Sequence, residues 1–378
     1  MTVGIVGAGQ LGRMLALAGY PLGLDFLFLD RHADVPAAAL APTLVGEFSD
    51  RALLRKLAKR CEVLSFDWEN ISADALRSAT RGLRTRIAPP LRALATGQDR
   101  LAEKRLFERL GVRTTRYAAV DSRADLERAC QRIGLPGVLK TRRMGYDGKG
   151  QSVIRDGAGI NAGWSALGGT PLLYEELVDF EAEVSALGVR ARDGAEAHYP
   201  LTRNWHAAGM LRLSVAPWET PALERQARAY MRAVLREFNY VGVLAIEFFV
   251  RDQRLIANEL APRVHNSGHW TIEGALTSQF ENHLRAVTGL PLGGTAALGH
   301  AAMVNLIGRM PPRAAVLAQP GVHLHDYGKS ARPGRKLGHC TLVAPTARER
   351  NLRTRRLLSG LAQALGGVHG NKRYTERP

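Results

Sequence analysis

Short apolar strands alternate with amphipathic helices in the first hundred residues, and this alternation constrains the fold more than any other feature of the chain. Residues 3–6, 26–29 and 63–66 are apolar runs of strand length, and residues 10–18 and 50–59 between them carry apolar side chains at helical spacing. Strands that are separated by helices in this way usually pair side by side in one parallel sheet. The N-terminal part of the chain is therefore predicted to be a doubly wound parallel sheet.

The alternation ends at a pair of prolines, Pro89 and Pro90, which predicts a first domain boundary. A second unit begins with a predicted helix at residues 99–110 and includes a predicted hairpin at residues 242–260. From residue 301 the pattern changes to short strands followed by a basic helix. A chain of 378 residues suggests two or three domains, because a single core rarely grows beyond about 250 residues.

Composition and charge argue against several classes of protein. The chain has 52 Lys and Arg against 35 Asp and Glu, and the resulting net charge of +17 attracts anions such as nucleic acid or phosphorylated small molecules. No nucleic-acid-binding motif accompanies this charge, so no nucleic-acid partner is expected. No run of about eighteen apolar residues predicts a membrane span. Cys61, Cys130 and Cys340 are too far apart for a zinc site or a disulfide framework, which favours a reducing, cytoplasmic location.

A glycine motif, Gly7-Ala-Gly9-Gln-Leu-Gly12, lies between the first predicted strand and the first predicted helix. Asp30 ends the next strand, at about the distance at which a dinucleotide-binding fold places its ribose-binding acid. Glycine amides at a helix N-terminus can bind any anion. Dinucleotide binding, binding of another phosphate and a purely structural turn all remain open from these residues alone.

The second candidate is Lys140 at the end of a predicted strand, followed by a glycine-rich loop at residues 145–151. The loop does not have the spacing of a phosphate-binding Walker A loop, and no Ser or Thr follows its lysine. Its glycines predict a flap whose backbone N–H groups close over phosphates, with Lys140 below as a point charge. The alternative is a flexible hairpin turn beside a surface lysine.

The predicted hairpin carries acids in unexpected places. Glu247 interrupts an apolar strand, where an unpaired carboxylate is costly, and Asn258-Glu259 lies on the facing strand. Oxygen ligands of this kind suit Mg²⁺ that bridges nucleotide phosphates. A two- or four-residue loop places Glu247 opposite Asn258, whereas a three-residue loop or a bulge places it opposite Glu259. The alternative is a carboxylate paired with a structural arginine.

A loop that is dense in hydrogen-bond donors follows the hairpin directly. Arg263, His265, Asn266 and His269 all lie within it, next to the predicted metal site. A single histidine in such a loop is usually structural. The combination of arginine and histidine beside two acids favours a catalytic loop.

Several of these segments together resemble the ATP-grasp superfamily and, within it, the 5-(carboxyamino)imidazole ribonucleotide synthases of purine biosynthesis. The segments that carry the resemblance run almost from end to end: residues 7–14 (GAGQLGRM), 67–70 (DWEN), 100–104, 145–151, 199–202 (YPLT), 258–271 (NELAPRVHNSGHWT) and 332–339 (RPGRKLGH). The chain departs from the family at Asp67-Trp68, where a Glu-Phe or Glu-Trp pair is commoner.

The resemblance implies an ATP-grasp fold of mixed α/β and α+β class, built from three domains. Residues 1–96 are expected to form a Rossmann-like, doubly wound parallel-sheet domain that precedes the ATP-grasp domain. Residues 97–300 are expected to form the ATP-grasp domain, with a small lid at about residues 112–176. Residues 301–378 are expected to form a mostly β domain that ends in a basic helix. The resemblance also implies a homodimer.

The resemblance assigns roles to individual residues. The implied ATP contacts are Arg100, Lys140, Gly145, Tyr146, Asp147, Gly148, Lys149, Gly150, Gln151, Glu175, Glu176, Leu177, Val178, Glu183, His206, Asn258 and Glu259. The implied metal ligands are Glu247 and Glu259. The implied catalytic residues are Tyr146, Asp147, Arg263, His265 and Lys329. The implied substrate contacts are Gly9, Gln10, Leu11, Glu69, Asn266, Lys329, Arg332 and Arg335.

The implied reaction uses ATP, Mg²⁺ and bicarbonate to carboxylate the exocyclic amine of 5-aminoimidazole ribonucleotide through carboxyphosphate, with neither NAD nor biotin. The general base is either Asp147 or His265. One alternative is another ATP-grasp ligase that acts on a purine precursor, such as a formate-dependent glycinamide ribonucleotide formyltransferase. Alternatives from other classes are an NAD-dependent oxidoreductase, which the glycine motif suggests, and a nucleic-acid-binding module, which the net charge suggests.

Overall fold

The structure is a computed structural model, and it describes residues 1–145 and 148–365. The predicted site residues Tyr146 and Asp147 and the basic tail after residue 365 lie outside the described residues. Within the described ranges, no helix is both long enough and apolar enough to cross a lipid bilayer.

Strands and α-helices follow one another along the whole of the described chain. The strands are β1 Thr2–Val6, β2 Asp25–Asp30, β3 Thr43–Val45, β4 Val63–Phe66, β5 Arg86–Ile87, β6 Tyr117–Val120, β7 Gly137–Thr141, β8 Gln151–Ile154, β9 Leu172–Glu176, β10 Ala182–Arg190, β11 Glu196–His198, β12 Thr202–Ala207, β13 Met210–Ala216, β14 Gly242–Arg251, β15 Arg254–Ala261, β16 His300–Ile307, β17 Val322–Asp326 and β18 Lys336–Ala344. The α-helices are α1 Gln10–Gly19, α2 Arg51–Lys59, α3 Ala73–Thr80, α4 Leu91–Gly97, α5 Arg100–Arg109, α6 Arg123–Ile133, α7 Gly157–Leu167, α8 Pro221–Glu237, α9 Thr271–Gly274, α10 Gln279–Thr288, α11 Arg313–Leu317 and α12 Ala347–Ala364.

The first sheet is parallel and has the strand order β3-β2-β1-β4-β5, which confirms the predicted parallel sheet. Its central strand β1 is buried on both faces, as expected of a parallel strand that is covered by helices. Asp50 is the N-cap of α2, since its side chain accepts hydrogen bonds from the amides of Ala52 and Leu53.

The largest sheet has the order β15-β14-β10-β12-β13-β16-β18-β17, with β11 paired to β10. Strand β16 pairs with β13 in antiparallel register, so the strands after residue 300 extend the sheet of the preceding residues. This continuity was not predicted. Its consequence is that residues of the last segment, such as Asn305 on β16, are held against β13, where the Asn305 side chain donates to the Leu211 carbonyl at 2.9 Å.

The small sheet has the order β6-β9-β7-β8 and lies within the segment that was predicted to form a lid. Helices α6 and α7 cover it, and Leu126, Leu139 and Tyr174 are among the buried side chains of its core. Strand β7 ends at Thr141, next to the glycine-rich loop, and β8 begins at Gln151. The flap is therefore the connection between two paired strands.

Two carboxylates close the glycine turn between β1 and α1. Asp67 Oδ2 accepts hydrogen bonds from the amides of Gly9, at 2.8 Å, and Gly12, at 3.1 Å. Asp30 Oδ2 accepts from the amide of Ala8 at 2.8 Å. Burial raises the pKa of Asp67 to about 6, although the two amide hydrogen bonds oppose the shift. Because protein carboxylates occupy the amides that a dinucleotide pyrophosphate needs, this geometry argues against the dinucleotide interpretation of the motif.

Replacing Gly7 by alanine should destabilise the chain strongly. Gly7 has a φ of +98°, and a Cβ there would lie 1.6 Å from Asp67 Oδ1. Gly23 is the matched control, since its φ is +69° and a Cβ there meets nothing within 4 Å. We expect Gly23→Ala to cost about 1 kcal/mol from backbone strain alone, and Gly7→Ala to cost at least about 3 kcal/mol. Thermal unfolding of the two variants measures the difference, and equal losses would contradict the role of Asp67 in filling the turn.

Candidate active site

The two predicted metal acids face each other across the β14–β15 hairpin. The hairpin closes with a two-residue turn, because Arg251 pairs with Arg254 and the intervening Asp252 and Gln253 both have positive φ. A β-bulge next to Glu247 shifts the register by one residue, so Glu247 pairs with Glu259. The bulge therefore decides between the two registers that the sequence left open.

The electrostatics of this pair suit a bound cation. Burial, followed by the charge of Glu259, raises the pKa of Glu247 to about 7. The side-chain oxygen of Asn258 is buried and has no hydrogen-bond partner among the described residues. Among the residues that the structure describes, no group of three or more Asp, Glu, His or Cys side chains is arranged to hold a metal ion by itself. The donor set thus fits Mg²⁺ whose remaining ligands are phosphate oxygens and water.

Cationic and neutral nitrogen donors surround the two acids. Arg100 Nη1 lies 3.2 Å from Glu259 Oε2, and His265 Nε2 lies 3.5 Å from Glu247 Oε1. His206 Nδ1 lies 3.0 Å from Glu183 Oε2. Burial opposes protonation of His206, but the hydrogen bond with Glu183 and the nearby acids raise its pKa to about 9. His206 is therefore a cation at neutral pH.

Lys140, the predicted phosphate ligand, is paired with Glu175, the first residue of the hinge, which is the predicted ATP-contacting segment of residues 175–178 at the end of β9. Its Nζ lies 3.1 Å from Glu175 Oε1, and Lys104 Nζ lies 3.0 Å from Glu175 Oε2. Burial would raise the pKa of Glu175, but the two lysines hold it well below its usual range. Since the Glu175 carboxylate is 2% exposed and bound to two lysines, a nucleotide contact from this residue would come from its backbone.

The remaining predicted hinge residues follow Glu175 along the chain, and the flap residues follow Lys140. Glu176 binds Arg116 at 2.7 Å, while Leu177 is exposed and Val178 is buried. In the flap, Gly148 and Gly150 have positive φ, and the Gly150 carbonyl accepts a hydrogen bond from the amide of Thr141. The structure describes five of the flap residues that are predicted to contact ATP: Gly145, Gly148, Lys149, Gly150 and Gln151.

A bidentate ion pair joins the donor-dense loop to the first sheet. Arg263 donates from Nε and Nη2 to the two carboxylate oxygens of Glu69, each at 2.6 Å. Burial disfavours the charged guanidinium, but Glu69, then Asp67 and Glu259, raise the pKa of Arg263. Arg263 therefore lies within electrostatic reach of both the first-sheet acids and the metal acids.

His265 is neutral in this arrangement. Burial, followed by the charge of Arg263, lowers the pKa of His265 well below its usual range. Its Nδ1 lies 2.8 Å from Ser267 Oγ and accepts a longer hydrogen bond, of 3.4 Å, from the Ser267 amide, which favours the tautomer with its hydrogen on Nε2, the atom facing Glu247.

The predicted substrate residues meet where the first sheet adjoins the last segment. Lys329 Nζ donates a hydrogen bond to the side-chain oxygen of Gln10, and burial, then the charge of Arg335, lowers the pKa of Lys329 to about 8. Asn266 and Asn305 exchange two side-chain amide hydrogen bonds, of 3.1 and 2.7 Å.

Four other predicted substrate residues have different surroundings. Arg335 Nη1 donates to Ser330 Oγ at 2.7 Å, and Arg332 is exposed. Leu11 is buried, and the Gly9 amide is already bound to Asp67.

Sequence reasoning missed three residues of this region. Lys104 was noted only as part of a motif, because a lysine on an amphipathic helix usually faces solvent. Asp67 was treated only as a departure from the family. Asn305 interrupts an apolar strand in the same way as Glu247. A polar residue in an apolar strand was the signal that identified Glu247, and the same signal could have identified Asn305.

Three domain families match the chain. The ribonucleotide synthetase preATP-grasp domain matches residues 1–98, the ATP-grasp domain matches residues 105–280, and the phosphoribosylaminoimidazole carboxylase C-terminal domain matches residues 301–353. These matches confirm the predicted ATP-grasp fold with an N-terminal parallel-sheet domain. The boundaries predicted at residues 96 and 300 and the extent of the lid stay predictions.

Similar proteins agree with the domain matches. The N5-carboxyaminoimidazole ribonucleotide synthase of Pseudomonas aeruginosa is 50% identical over 342 residues, which cover 90% of this chain and 94% of that protein. The crystal structure of the synthetase from Thermus thermophilus superposes with a TM-score of 0.90 at 49% identity, over 96% of this chain and 98% of that one. The synthase of Aspergillus clavatus in complex with ADP and 5-aminoimidazole ribonucleotide gives a TM-score of 0.88 at 29% identity, over 96% and 98% of the two chains.

Replacing Glu247 by glutamine should change how stability depends on pH. Because the pKa of Glu247 is raised to about 7, the folded protein keeps a proton between about pH 4.5 and pH 7 that the unfolded chain releases. The free energy of unfolding of the wild type therefore falls as pH rises through this window. In metal-free buffer, we expect Glu247→Gln to gain about 2 kcal/mol relative to wild type between pH 5 and pH 8. Thermal unfolding at both pH values tests this, with the exposed-site variant Glu127→Gln as control. Parallel pH curves for wild type and Glu247→Gln would contradict the raised pKa of Glu247, whose causes are burial and then the charge of Glu259.

Proposed function

The chain belongs to the family of N5-carboxyaminoimidazole ribonucleotide synthases, and we propose that it uses ATP to activate bicarbonate and carboxylates the exocyclic amine of 5-aminoimidazole ribonucleotide. It is an ATP-dependent carbon–nitrogen ligase of purine biosynthesis, as its relatives are. The observation that carries the proposal is the position of Arg263. This cation lies between the acids that would bind the metal of the nucleotide and the first-sheet acids beside the predicted substrate residues.

The nucleotide end of the site supplies charge and positioning. Lys140 and the protonated His206 would bind phosphate oxygens, and the flap at residues 145–151 would close over them. Glu247 and Glu259 would hold Mg²⁺, which neutralises phosphate charge when it is bound. A site that excludes water protects carboxyphosphate from hydrolysis, which gives the flap its function.

The chemistry then proceeds in two steps. A bicarbonate oxygen attacks the γ-phosphorus of ATP, the bond to the β-phosphate oxygen breaks, and carboxyphosphate and ADP result. The exocyclic amine of the ribonucleotide then attacks the carboxyl carbon, phosphate leaves, and a base removes the amine proton. Arg263 is placed to offset the negative charge that develops on the carboxyl oxygens.

The choice between Asp147 and His265 as the general base depends on which ring nitrogen of His265 carries the hydrogen. Its Nδ1 contacts Ser267 and its Nε2 lies 3.5 Å from Glu247, so both ring nitrogens face groups of the protein. This arrangement favours Asp147, the other predicted base, which lies outside the described residues.

The ribonucleotide phosphate is proposed to bind the basic loop of the last segment. Lys329, Arg332 and Arg335 lie within seven residues of one another, and the lowered pKa of Lys329 has Arg335 and Arg332 among its causes, after burial. Three cations that repel one another in this way form a site that an anion stabilises.

A homodimeric assembly and a cytoplasmic location are also proposed. The homodimer rests on the family resemblance, and its test is the molar mass in solution by light scattering. The location is supported by three cysteines that are all free and buried.

Replacing Glu259 by glutamine should abolish ATP turnover and leave the fold intact. The variant keeps the shape of the side chain but loses the charge that would hold Mg²⁺. We expect kcat to fall at least about a thousandfold, by analogy with the loss of a main electrostatic group from a site. ADP release measures turnover, circular dichroism checks the fold, and Glu127→Gln is the matched control. Near-normal turnover would rule out Glu259 as a metal ligand.

Replacing Arg335 by alanine should affect one substrate selectively. We expect the KM for the ribonucleotide to rise about tenfold to a hundredfold, since a charge-assisted hydrogen bond contributes about 1.5–3 kcal/mol, and the KM for ATP to stay within about twofold. Steady-state kinetics with each substrate varied in turn provide the measurement. Arg355→Ala, at an exposed position of α12, is the control. Equal effects on both KM values would refute the placement of the phosphate.

A further inference from the structure

Lys104 is a buried cation at a junction of three chain segments. It lies on α5, and its side chain is 1% exposed. Its Nζ lies 3.0 Å from Glu175 Oε2, 3.0 Å from Thr114 Oγ1, 3.0 Å from the Asn258 carbonyl and 3.3 Å from the Ala257 carbonyl. Each of these acceptors is within ion-pair or hydrogen-bond distance, so the ammonium group is fully satisfied within the protein.

The segments that meet at Lys104 bear different parts of the proposed nucleotide site. Glu175 lies near the end of β9 and leads into the predicted hinge. Asn258 lies on β15, next to the predicted metal ligand Glu259. Threonine side chains strengthen the junction, since Thr114 Oγ1 donates to the Ala257 carbonyl at 2.8 Å and Thr115 Oγ1 donates to Glu175 at 2.6 Å.

We propose that Lys104 is a positioning residue that fixes the distance between the hinge and the metal-binding strand, and so sets the geometry in which ATP binds. This inference rests on the proposed function, because it takes the hinge and Glu259 to be parts of one nucleotide site. Lys104 acts through other residues and does not touch the nucleotide.

The second consequence of Lys104 concerns the charge of Lys140. Glu175 divides its two carboxylate oxygens between Lys104 and Lys140. Without Lys104, Glu175 retains Lys140 as its lysine partner among the described residues, with Thr115 as a neutral hydrogen-bond donor, so no second cation competes for the carboxylate. Lys140 would then be drawn toward Glu175 and away from the phosphates, which should lower kcat as well as the affinity for ATP.

A structural role alone predicts a different outcome. Removing one partner of a buried ion pair is destabilising because it leaves the other charge less well compensated, so Lys104→Met lowers stability whatever else the lysine does. A lysine that served only to fill the core would change the melting temperature when replaced, and would leave the kinetic constants of the folded enzyme unaltered.

The test compares Lys104→Met with Leu106→Ala, a buried apolar position on the same helix that was assigned no role in the site. We expect Lys104→Met to raise the KM for ATP and the Kd for ADP at least tenfold and to lower kcat at least tenfold, with the KM for the ribonucleotide within twofold of wild type. Leu106→Ala should lower the melting temperature and leave all kinetic constants within twofold. Wild-type constants for ATP in folded Lys104→Met would overturn the proposal.

A charge-balanced double variant, Lys104→Met with Glu175→Gln, covers the case in which Lys104→Met does not fold. It removes one positive and one negative charge from the junction and leaves Lys140 beside a neutral amide. The proposal predicts the same loss of ADP affinity, because the connection between the hinge and β15 is gone. Wild-type ADP affinity in the folded double variant would overturn it.

Calorimetric binding of ADP separates this inference from the proposed function, because it needs neither bicarbonate nor ribonucleotide. If the wild type fails to carboxylate the ribonucleotide but Lys104→Met still binds ADP at least tenfold more weakly than wild type, the proposed reaction is wrong and the role of Lys104 stands. If the wild type carboxylates the ribonucleotide and Lys104→Met binds ADP as wild type does, the reaction stands and the role of Lys104 is wrong.

Discussion

Glu247 and Glu259 are held beside each other on neighbouring strands, and the nitrogen groups of Arg100, His206 and His265 around them follow from the need to compensate these two acids. Glu247 is largely buried, and its pKa is raised to about 7, so bringing both carboxylates to full charge has a free-energy cost in the isolated chain. Arg100, at 3.2 Å from Glu259, offsets part of this cost, and the protonated His206 contributes as well. A metal ion with its nucleotide phosphates would offset the remainder. The site is thus arranged for a ligand that carries both a cation and several anionic oxygens.

The general course of the fold could be predicted because it depends on local patterns. Apolar runs that alternate with amphipathic helices predicted the parallel sheet, and the two runs around residues 251–254 predicted the hairpin. An acid within an apolar strand was informative for the same reason, since burial of a charge requires a compensating interaction. The family, the ATP-grasp fold and the ligase class are confirmed. The roles of individual residues stay predictions.

Features that depend on tertiary geometry could not be derived in this way. The β-bulge next to Glu247 decides whether Asn258 or Glu259 faces it, and a bulge leaves no reliable local signal. The pairing of β13 with β16 joins segments about ninety residues apart, and the spacing of apolar residues within each segment does not predict which strands pair. Asp67 fills the glycine turn from a different strand, and Lys104 is buried only because four acceptors from other segments surround it. Each of these features is a contact between residues far apart in sequence, so it cannot be predicted from the pattern of one segment alone.

The most direct test of the account is ADP release from ATP in the presence of Mg²⁺ and bicarbonate, measured with and without 5-aminoimidazole ribonucleotide. The account predicts that release depends strongly on the ribonucleotide, because the activated carboxyl group needs the amine as its acceptor and the proposed closure of the flap would exclude water. Release that is unchanged without the ribonucleotide, or that requires formate and a different amine, would contradict the proposed reaction, although the nucleotide site would remain.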